Sequence, residues 1–307
     1  MILIIGVTAS GKGRLAFDLA RRTGAEIISV DSMKIYRGMD IGTAKPPKEA
    51  RRTVRYHMID VVEPSDSFSV AAFLDGALEA IRQIKARNRP VIAVGGTALY
   101  IKALLYGLFE GPGCDEQIRA GLREQARTAG LDELYDRLAL VDPAAARRIH
   151  RNDARRIIRA LEVYELTGKP ISSFQRQWDK EHAEHEWTII GLRRDKADQS
   201  SRINARARKM VEAGLIDEVA SLLAGEKPLS EQARCAIGYA EIIQYLAGNI
   251  DLDKAVELIK KNTRRLAKSQ RTWFKRFKNV KWLDIGADES DEQVLGRAEA
   301  LLAEVQG

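Results

Sequence analysis

The chain has 307 residues, enough for roughly two domains that each bury a core. Apolar residues make up 45% and charged residues 30%, and no apolar run approaches the ~20 residues of a membrane span, which argues against a membrane protein. The 50 Lys and Arg against 43 Asp and Glu give a net charge of +7, while Cys114 and Cys235 are too few for a disulfide framework or a thiolate metal cage. With no basic leader before the first apolar run, the expectation is a cytoplasmic protein.

Residues 2–5 form that apolar run. A helical pattern over 14–22 follows, then an apolar run at 27–30, a loop, a run at 58–62, a helical pattern at 70–86 and a run at 91–94. The alternation predicts an α/β fold, a P-loop parallel sheet flanked by helices. Gly95-Gly96 leads to Thr97, which caps a helix reaching about residue 106. From 115 to about 178 only helical patterns remain, punctuated by Gly130, Asp142-Pro143 and Asn152-Asp153, and this reads as an inserted all-helical domain. The run at 187–192 is a strand rejoining the sheet. The remainder reads as helical, ending in a surface helix over 288–306. The expected domains are 1–112 for the first part of the core, 113–180 for the insertion, 181–284 for core completion and basic helices, and 285–307 for the tail.

Gly6-Val7-Thr8-Ala9-Ser10-Gly11-Lys12 follows the first strand and opens the first helix, where backbone N–H groups and a helix N-terminus can cradle phosphates. Lys12 adds a positive charge. The Ser or Thr that usually holds Mg²⁺ at the next position is replaced by Gly13. A glycine-rich turn that binds nothing is the plainer alternative. Asp31, at the end of the second strand, projects toward the loop as a metal ligand or a base, its plainer role being a turn cap.

The segment 260–278 carries nine Lys and Arg residues and no acid, which points to a polyanionic partner. Ile259, Leu266, Gln270, Trp273 and Phe277 fall on one helical stripe and are expected to pack. Lys261, Arg264, Arg265, Lys268, Arg271 and Lys275 fall on another. Arg155 and Arg159 are similarly spaced at i and i+4, behind a cap at Asn152 or Asp153.

The stretch Ser29-Val30-Asp31-Ser32-Met33-Lys34-Ile35-Tyr36-Arg37-Gly38-Met39-Asp40-Ile41-Gly42-Thr43-Ala44-Lys45-Pro46 closely resembles the signature of the tRNA dimethylallyltransferases, or tRNA isopentenyltransferases. Val94-Gly95-Gly96-Thr97-Ala98-Leu99-Tyr100, Arg148-Ile149-His150-Arg151-Asn152-Asp153, Arg159-Ala160-Leu161-Glu162-Val163-Tyr164 and Ala236-Ile237-Gly238-Tyr239 agree in order. Ala267-Lys268-Ser269-Gln270-Arg271-Thr272-Trp273-Phe274-Lys275 is similar to the family's closing motif. The resemblance implies transfer of a dimethylallyl group from dimethylallyl diphosphate to N6 of the adenosine 3′ of the anticodon, with Mg²⁺ as cofactor. It implies that Gly6 to Gly13 hold the diphosphate, that Asp31 is the base, that Thr97 touches the adenosine, and that Lys12 assists. Ser32, Met33, Lys34, Arg119, Arg155, Arg156, Arg159, Lys268, Gln270, Arg271, Trp273 and Lys275 fall on or beside segments implied to meet the tRNA anticodon stem-loop. A monomer with no membrane partner is expected. Departures from the pattern are Gly13, Cys235, Ala240, Ser269, and Lys34 where Gln is frequent.

The chemistry suits these residue types. The exocyclic amine of adenine is a poor nucleophile, so a base must take its proton as the N–C bond forms. The diphosphate gains charge as the allylic C–O bond breaks, and loop amides with Lys12 stabilise it there. Arg202 and Arg206, at i and i+4, are a candidate second clamp on the phosphates, or else a solvated face. Tyr36, Arg37 and Met39 either line the path of a flipped base or pack. His182 and His185 are weak evidence for zinc, and His57 and His150 read as structural. The competing readings are an adenylate isopentenyltransferase, a small-molecule P-loop kinase and a non-catalytic RNA-binding protein.

Overall fold

The computed structural model describes residues 1–108, 111–174 and 186–306. The chain divides into two compact units, Met1–Leu105 with His185–Gly307, and Tyr106–Glu184. In the first unit, β1 (Ile2–Gly6), β2 (Glu26–Val30), β3 (Tyr56–His57), β4 (Val91–Gly95), β5 (Thr188–Arg194) and β6 (Val280–Ile285) form a parallel sheet in the order β3-β2-β4-β1-β5-β6. β2 and β4 are buried at every position, as Ile- and Val-rich strands are when helices cover both sheet faces. The buried Glu26 at the head of β2 is compensated by Arg87 at 2.8 Å and His57 at 2.7 Å, and the Arg87 hydrogen bond leads in pulling its carboxyl down to about 2. His57 is thereby a structural residue.

One core cluster combines Leu15, Ala16 and Leu19 of the helix Lys12–Thr23 with Val294, Leu295 and Ala298 of the helix Asp291–Gln306. The second gathers Ile35, Tyr36 and Met39 from the signature segment around Val219, Tyr239 and Ile259. Tyr36 and Met39 therefore pack, and Arg37 is exposed and paired with Glu63 at 2.5 Å.

Three expectations need correction. The run at 58–62 is not a strand, because Met58 and Asp60 adopt left-handed backbone angles (φ 60 and 56) that interrupt extension. Only the two residues of β3 and a single bridge between Tyr36 and Val62 survive there. The stretch after 196 is not wholly helical, since β6 pairs with β5 and lays Trp282 over Gly191, where a Cβ would collide with the indole. The tail helix is not merely superficial: besides its apolar contacts, Glu299 pairs with Arg22 at 2.8 Å. In the helix Leu252–Phe274, the packed stripe runs through Ala255, Ile259, Ala267, Gln270 and Phe274. Leu266 is 41% exposed, and Trp273 is half-buried against the Arg276 guanidinium.

The second unit is built from the helices Glu116–Thr128, Leu131–Val141, Pro143–Ala146, Ala154–Thr167 and Ile171–Phe174, with no strand among its described residues. Asp115, Asp142 and Asp153 cap three of these helices by accepting N–H bonds, so Asp153 rather than Asn152 is the cap before Ala154. Leu122, Leu134, Leu138, Ile157 and Leu161 form the core. Among them lies Glu162, fully buried, held by Arg119 at 2.9 Å, Arg159 at 2.7 Å and the Asp115 N–H at 2.7 Å. Burial opposes its charge, yet Arg159, the Asp115 amide and Arg119 outweigh that and hold the carboxyl below its ordinary range. Arg159 also donates to the Pro112 and Gly113 carbonyls. Arg119 and Arg159 are thus turned inward, while Arg155 and Arg156 are exposed, Arg156 beside Asp153 at 3.3 Å. Arg159→Ala should lower stability by about 2–3 kcal/mol, because it leaves a buried carboxylate short of a partner. Arg155→Ala should change it by less than about 0.5 kcal/mol. Urea unfolding of both variants checks the contrast, and equal losses would contradict it.

Candidate active site

The register of the sheet sets the site. Gly95 of β4 lies level with Ile5 of β1 and with Val30 of β2, so three strands end together. Their following loops carry Val7 to Gly11, Gly96-Thr97 and Asp31 to Lys34 to one edge, where open parallel sheets take ligands. This convergence requires Gly95, since a Cβ there would run into the Val30 carbonyl.

The loop after β1 turns through Ala9 (φ 61) and Gly11 (φ 99) into the helix Lys12–Thr23. Its carbonyls are held one after another. Lys12 Nζ donates to Val7 O at 3.2 Å, Gln199 Nε2 to Thr8 O, Arg202 Nε to Ala9 O at 3.0 Å and Arg194 Nε to Ser10 O at 3.0 Å. In a trans peptide the next N–H points opposite to the carbonyl, so these bonds turn the Ala9 and Gly11 amides to the other side. Together with the helix N-terminus they form a concavity suited to an anion. Gln270 closes the arrangement: it accepts from Thr8 N at 2.8 Å and donates to Gly96 O at 2.9 Å. Buried Ser10 fills the space under the loop, against Gly6, where a Cβ would sit 2.7 Å from its Oγ.

Asp31 is fixed by its own turn, Oδ1 accepting from Met33 N at 2.9 Å and Lys34 N at 3.3 Å, while Oδ2 takes no part in these bonds. Thr97 Oγ1 accepts from Ser32 N at 3.0 Å, which locks the β4 loop to the β2 loop. Half-buried Lys12, Lys34 and Arg206 all lie near enough to this carboxylate to feel its charge. Burial, then the charges of Lys34 and Arg206, pulls the Lys12 ammonium down to about 7, with Asp31 opposing. Lys34 is lowered by burial, with Asp31 opposing and Arg206 and Lys45 repelling, and Arg206 by burial and Arg202. Arg206 also donates to Thr8 Oγ1 at 3.2 Å.

The rest of the signature is scaffold. Glu218 accepts from the Asp40, Ile41 and Gly42 amides at 3.0, 2.8 and 3.3 Å and from the Tyr239 hydroxyl at 2.5 Å. Burial raises the Tyr239 pKa and the Glu218 bond adds to it. Gly42 leaves room for the Tyr239 ring, so two distant motifs are halves of one joint. Lys45, itself buried, ties Tyr36 O, Asp40 and Asp60 at 2.5, 2.7 and 2.6 Å.

Sequence reasoning brought Lys12, Asp31, Ser32, Lys34, Thr97 and Arg206 to this edge. Gln270, which falls both on the stripe expected to pack and in a motif implied to meet tRNA, is buried as an internal bridge. Sequence reasoning missed Gln199, Arg194 and Glu218. Met33 is half-buried against the second core cluster. Lys268 and Lys275 are exposed and Arg271 half-buried, while Arg264 is spent on Asn204 at 2.6 Å. His150 Nδ1 accepts from Asn152 N, and His182 and His185 lie outside the described residues.

The residues present do not make a side-chain cage for magnesium. Gly13 offers no hydroxyl and a Cβ there would meet open space. The Thr8 hydroxyl is taken by Arg206, which leaves Asp31 Oδ2 and the buried, unpartnered Ser10 hydroxyl under the loop, too few for a cage. Among the described residues no cluster of three or more His, Cys, Asp or Glu suits a metal ion.

Comparison with known proteins places this geometry in a lineage. The family model described as IPP transferase matches residues 34–277. A tRNA dimethylallyltransferase of Geobacter metallireducens is 46% identical over 284 residues, 92% of each chain, and one of Acetivibrio thermocellus is 43% identical over 99% of this chain and 97% of its own. The crystal structure of a full-length tRNA isopentenylpyrophosphate transferase from Bacillus halodurans aligns with TM-score 0.72 and 39% identity, covering 99% of this chain and 96% of the other. A eukaryotic dimethylallyltransferase captured acting on tRNA aligns with TM-score 0.78 and 25% identity, over 99% and 79%. With the matched segments running from the signature through the closing helix, the chain belongs to the IPP transferase family, that of the tRNA dimethylallyltransferases.

Proposed function

We propose that this chain transfers the dimethylallyl group of dimethylallyl diphosphate to N6 of the adenosine 3′ of the anticodon in tRNA and releases diphosphate. The observation that carries the reading is the Asp31 carboxylate, oriented by its own turn amides and felt by the charges of Lys12, Lys34 and Arg206 at the edge that holds the amide-lined loop. The names of the relatives support the same reaction.

Asp31 accepts the N6 proton as the new N–C bond forms, and the allylic C–O bond breaks with its electron pair leaving on the diphosphate. Lys12, Arg206 and the Ala9 and Gly11 amides stabilise that charge as it develops. Thr97, next to Ser32, contacts the incoming adenosine. A base must leave its stack to reach this edge, which suits an anticodon loop. The phosphates of the stem are met by exposed Lys268 and Lys275 on the closing helix and by exposed Arg155 and Arg156 on the helical unit. All these groups come from one chain, so a monomer suffices. No described helix is long and apolar enough to cross a membrane, and the reading sets the work in the cytoplasm.

Incubating unmodified tRNA with the protein and dimethylallyl diphosphate, then digesting to nucleosides, should reveal adenosine heavier by one dimethylallyl group. Prenylated free adenylate without modified tRNA would instead support an adenylate enzyme. Asp31→Asn keeps the acceptor for the turn amides but not the base, so single-turnover rates should fall at least ~10²-fold while tRNA affinity holds.

The Lys12 charge is present below about pH 7 and fades above it. Affinity for inorganic diphosphate should therefore weaken between pH 7 and 9, by up to about tenfold per unit, and Lys12→Arg should flatten the profile. Calorimetric titration across that range checks the sign. Lys268→Ala combined with Lys275→Ala should reduce the log-log salt slope of tRNA binding by about two, with the KM for the prenyl donor unchanged.

A further inference from the structure

The phosphate-facing edge of the sheet carries more positive charge than its own acid balances. Lys12, Lys34 and Arg206 each feel the Asp31 charge, and Lys12 and Lys34 are each pushed down by their cationic neighbours. Arg202 adds a fourth cation on the Ala9 carbonyl. Like charges held near one another each disfavour the charged form of the others, and an anion bound among them relieves that repulsion.

Of these cations, Arg202, Arg206 and Lys12 are all engaged in holding the loop itself. Lys34 differs. Its backbone is pinned on both sides, its N–H to Asp31 Oδ1 at 3.3 Å and its carbonyl accepting from Asp60 N at 3.2 Å, so the base of its side chain is fixed beside Asp31. Among the described residues no carboxylate lies within ion-pair distance of its ammonium. An ammonium that rises from this fixed backbone, feels the charges of Asp31 and Lys12 and forms no such ion pair is free to meet an anion. Across the same edge, Gly13 leaves the loop without a metal-binding hydroxyl.

We propose that Lys34 is a ligand of the donor's diphosphate, supplying through its ammonium the positive charge that this chain's loop does not recruit through a hydroxyl-held magnesium ion. The inference rests on the prenyl-transfer reading and specifies how that site holds its leaving group.

The test is binding of inorganic diphosphate by calorimetry to the parent, Lys34→Gln and Lys34→Arg, each in EDTA and in millimolar Mg²⁺. The parent should bind in EDTA, with Kd improving no more than about threefold in magnesium. A charge-assisted contact of the usual strength implies that Lys34→Gln weakens binding in EDTA by about 10- to 100-fold, with magnesium recovering part of the loss. Lys34→Arg, which keeps the charge and shows that the position tolerates change, should stay within about threefold of the parent. Binding of Lys34→Gln equal to the parent in EDTA overturns the proposal, as does a parent that needs magnesium to bind at all. Loss of tRNA affinity in Lys34→Gln with diphosphate affinity unchanged also overturns it and reassigns Lys34 to the RNA. The tRNA assay keeps the two readings separable. If the parent prenylates tRNA but Lys34→Gln binds diphosphate normally, only this inference fails. If Lys34 governs diphosphate affinity yet no tRNA is modified, the anion site stands and the reaction does not.

Discussion

One buried amide holds the working edge of this protein together. Gln270 takes the Thr8 N–H with its oxygen and gives its own N–H to Gly96 O, so the loops after β1 and β4 are spaced by the length of a single side chain. The bond to Gly96 O is buried and that from Thr8 N partly so, and losing the buried one would leave a polar group unpaired, at roughly 1–3 kcal/mol. Gly96 lacks a Cβ for the same reason, since one would press on the Gln270 amide. The anion concavity, the orientation of Thr97 and its grip on Ser32 all inherit their geometry from that bridge.

Much of this was legible in the sequence, and the exceptions have physical causes. β1, β2, β4 and β5 announce themselves as apolar runs between glycine-bearing turns, and the helix Val70–Ala86 matches its periodicity residue for residue. β6 is less visible because Lys281 and Asp284 interrupt its apolar residues at an edge strand, where only one side pairs. The run at 58–62 looks extended by composition, yet the left-handed turns at Met58 and Asp60 come from tertiary demands that propensity does not record. In the site, loop glycines, Lys12, Asp31 and Thr97 stand out because their chemistry is local. Gln199, Arg194 and Glu218 do not, because each acts on backbone atoms about 180 to 190 positions away, and nothing near them in sequence marks the partner.

Charge in this molecule divides by destination, and counting residues cannot reveal the division. Arg119 and Arg159 look like neighbours of Arg155 and Arg156 in a basic segment, yet the first pair neutralises Glu162 in the interior of the helical unit. On the closing helix the same split appears, with Arg264 bonded to Asn204 while Lys268 and Lys275 remain in solvent. A helix can thus serve the fold with one edge and an external polyanion with the other, and the exposed stem of each side chain decides which.

The order of β1 in the sheet has a consequence for how the chain is made. β1 lies between β4 and β5, and the restraints on its loop come from residues as far as 262 positions downstream. During synthesis the first hundred residues can pair β1 with β4, but the Thr8, Ala9 and Ser10 carbonyls stay unclaimed until Arg194, Gln199 and Arg202 have emerged, and the loop's spacing to Gly96 is unset until Gln270 has. Closing such long loops is slow, and half a parallel sheet exposes the edge where β5 belongs. A nascent chain stalled before residue 188 therefore presents β1 as an unpaired apolar edge beside an unbraced turn, the kind of surface that chaperones recognise.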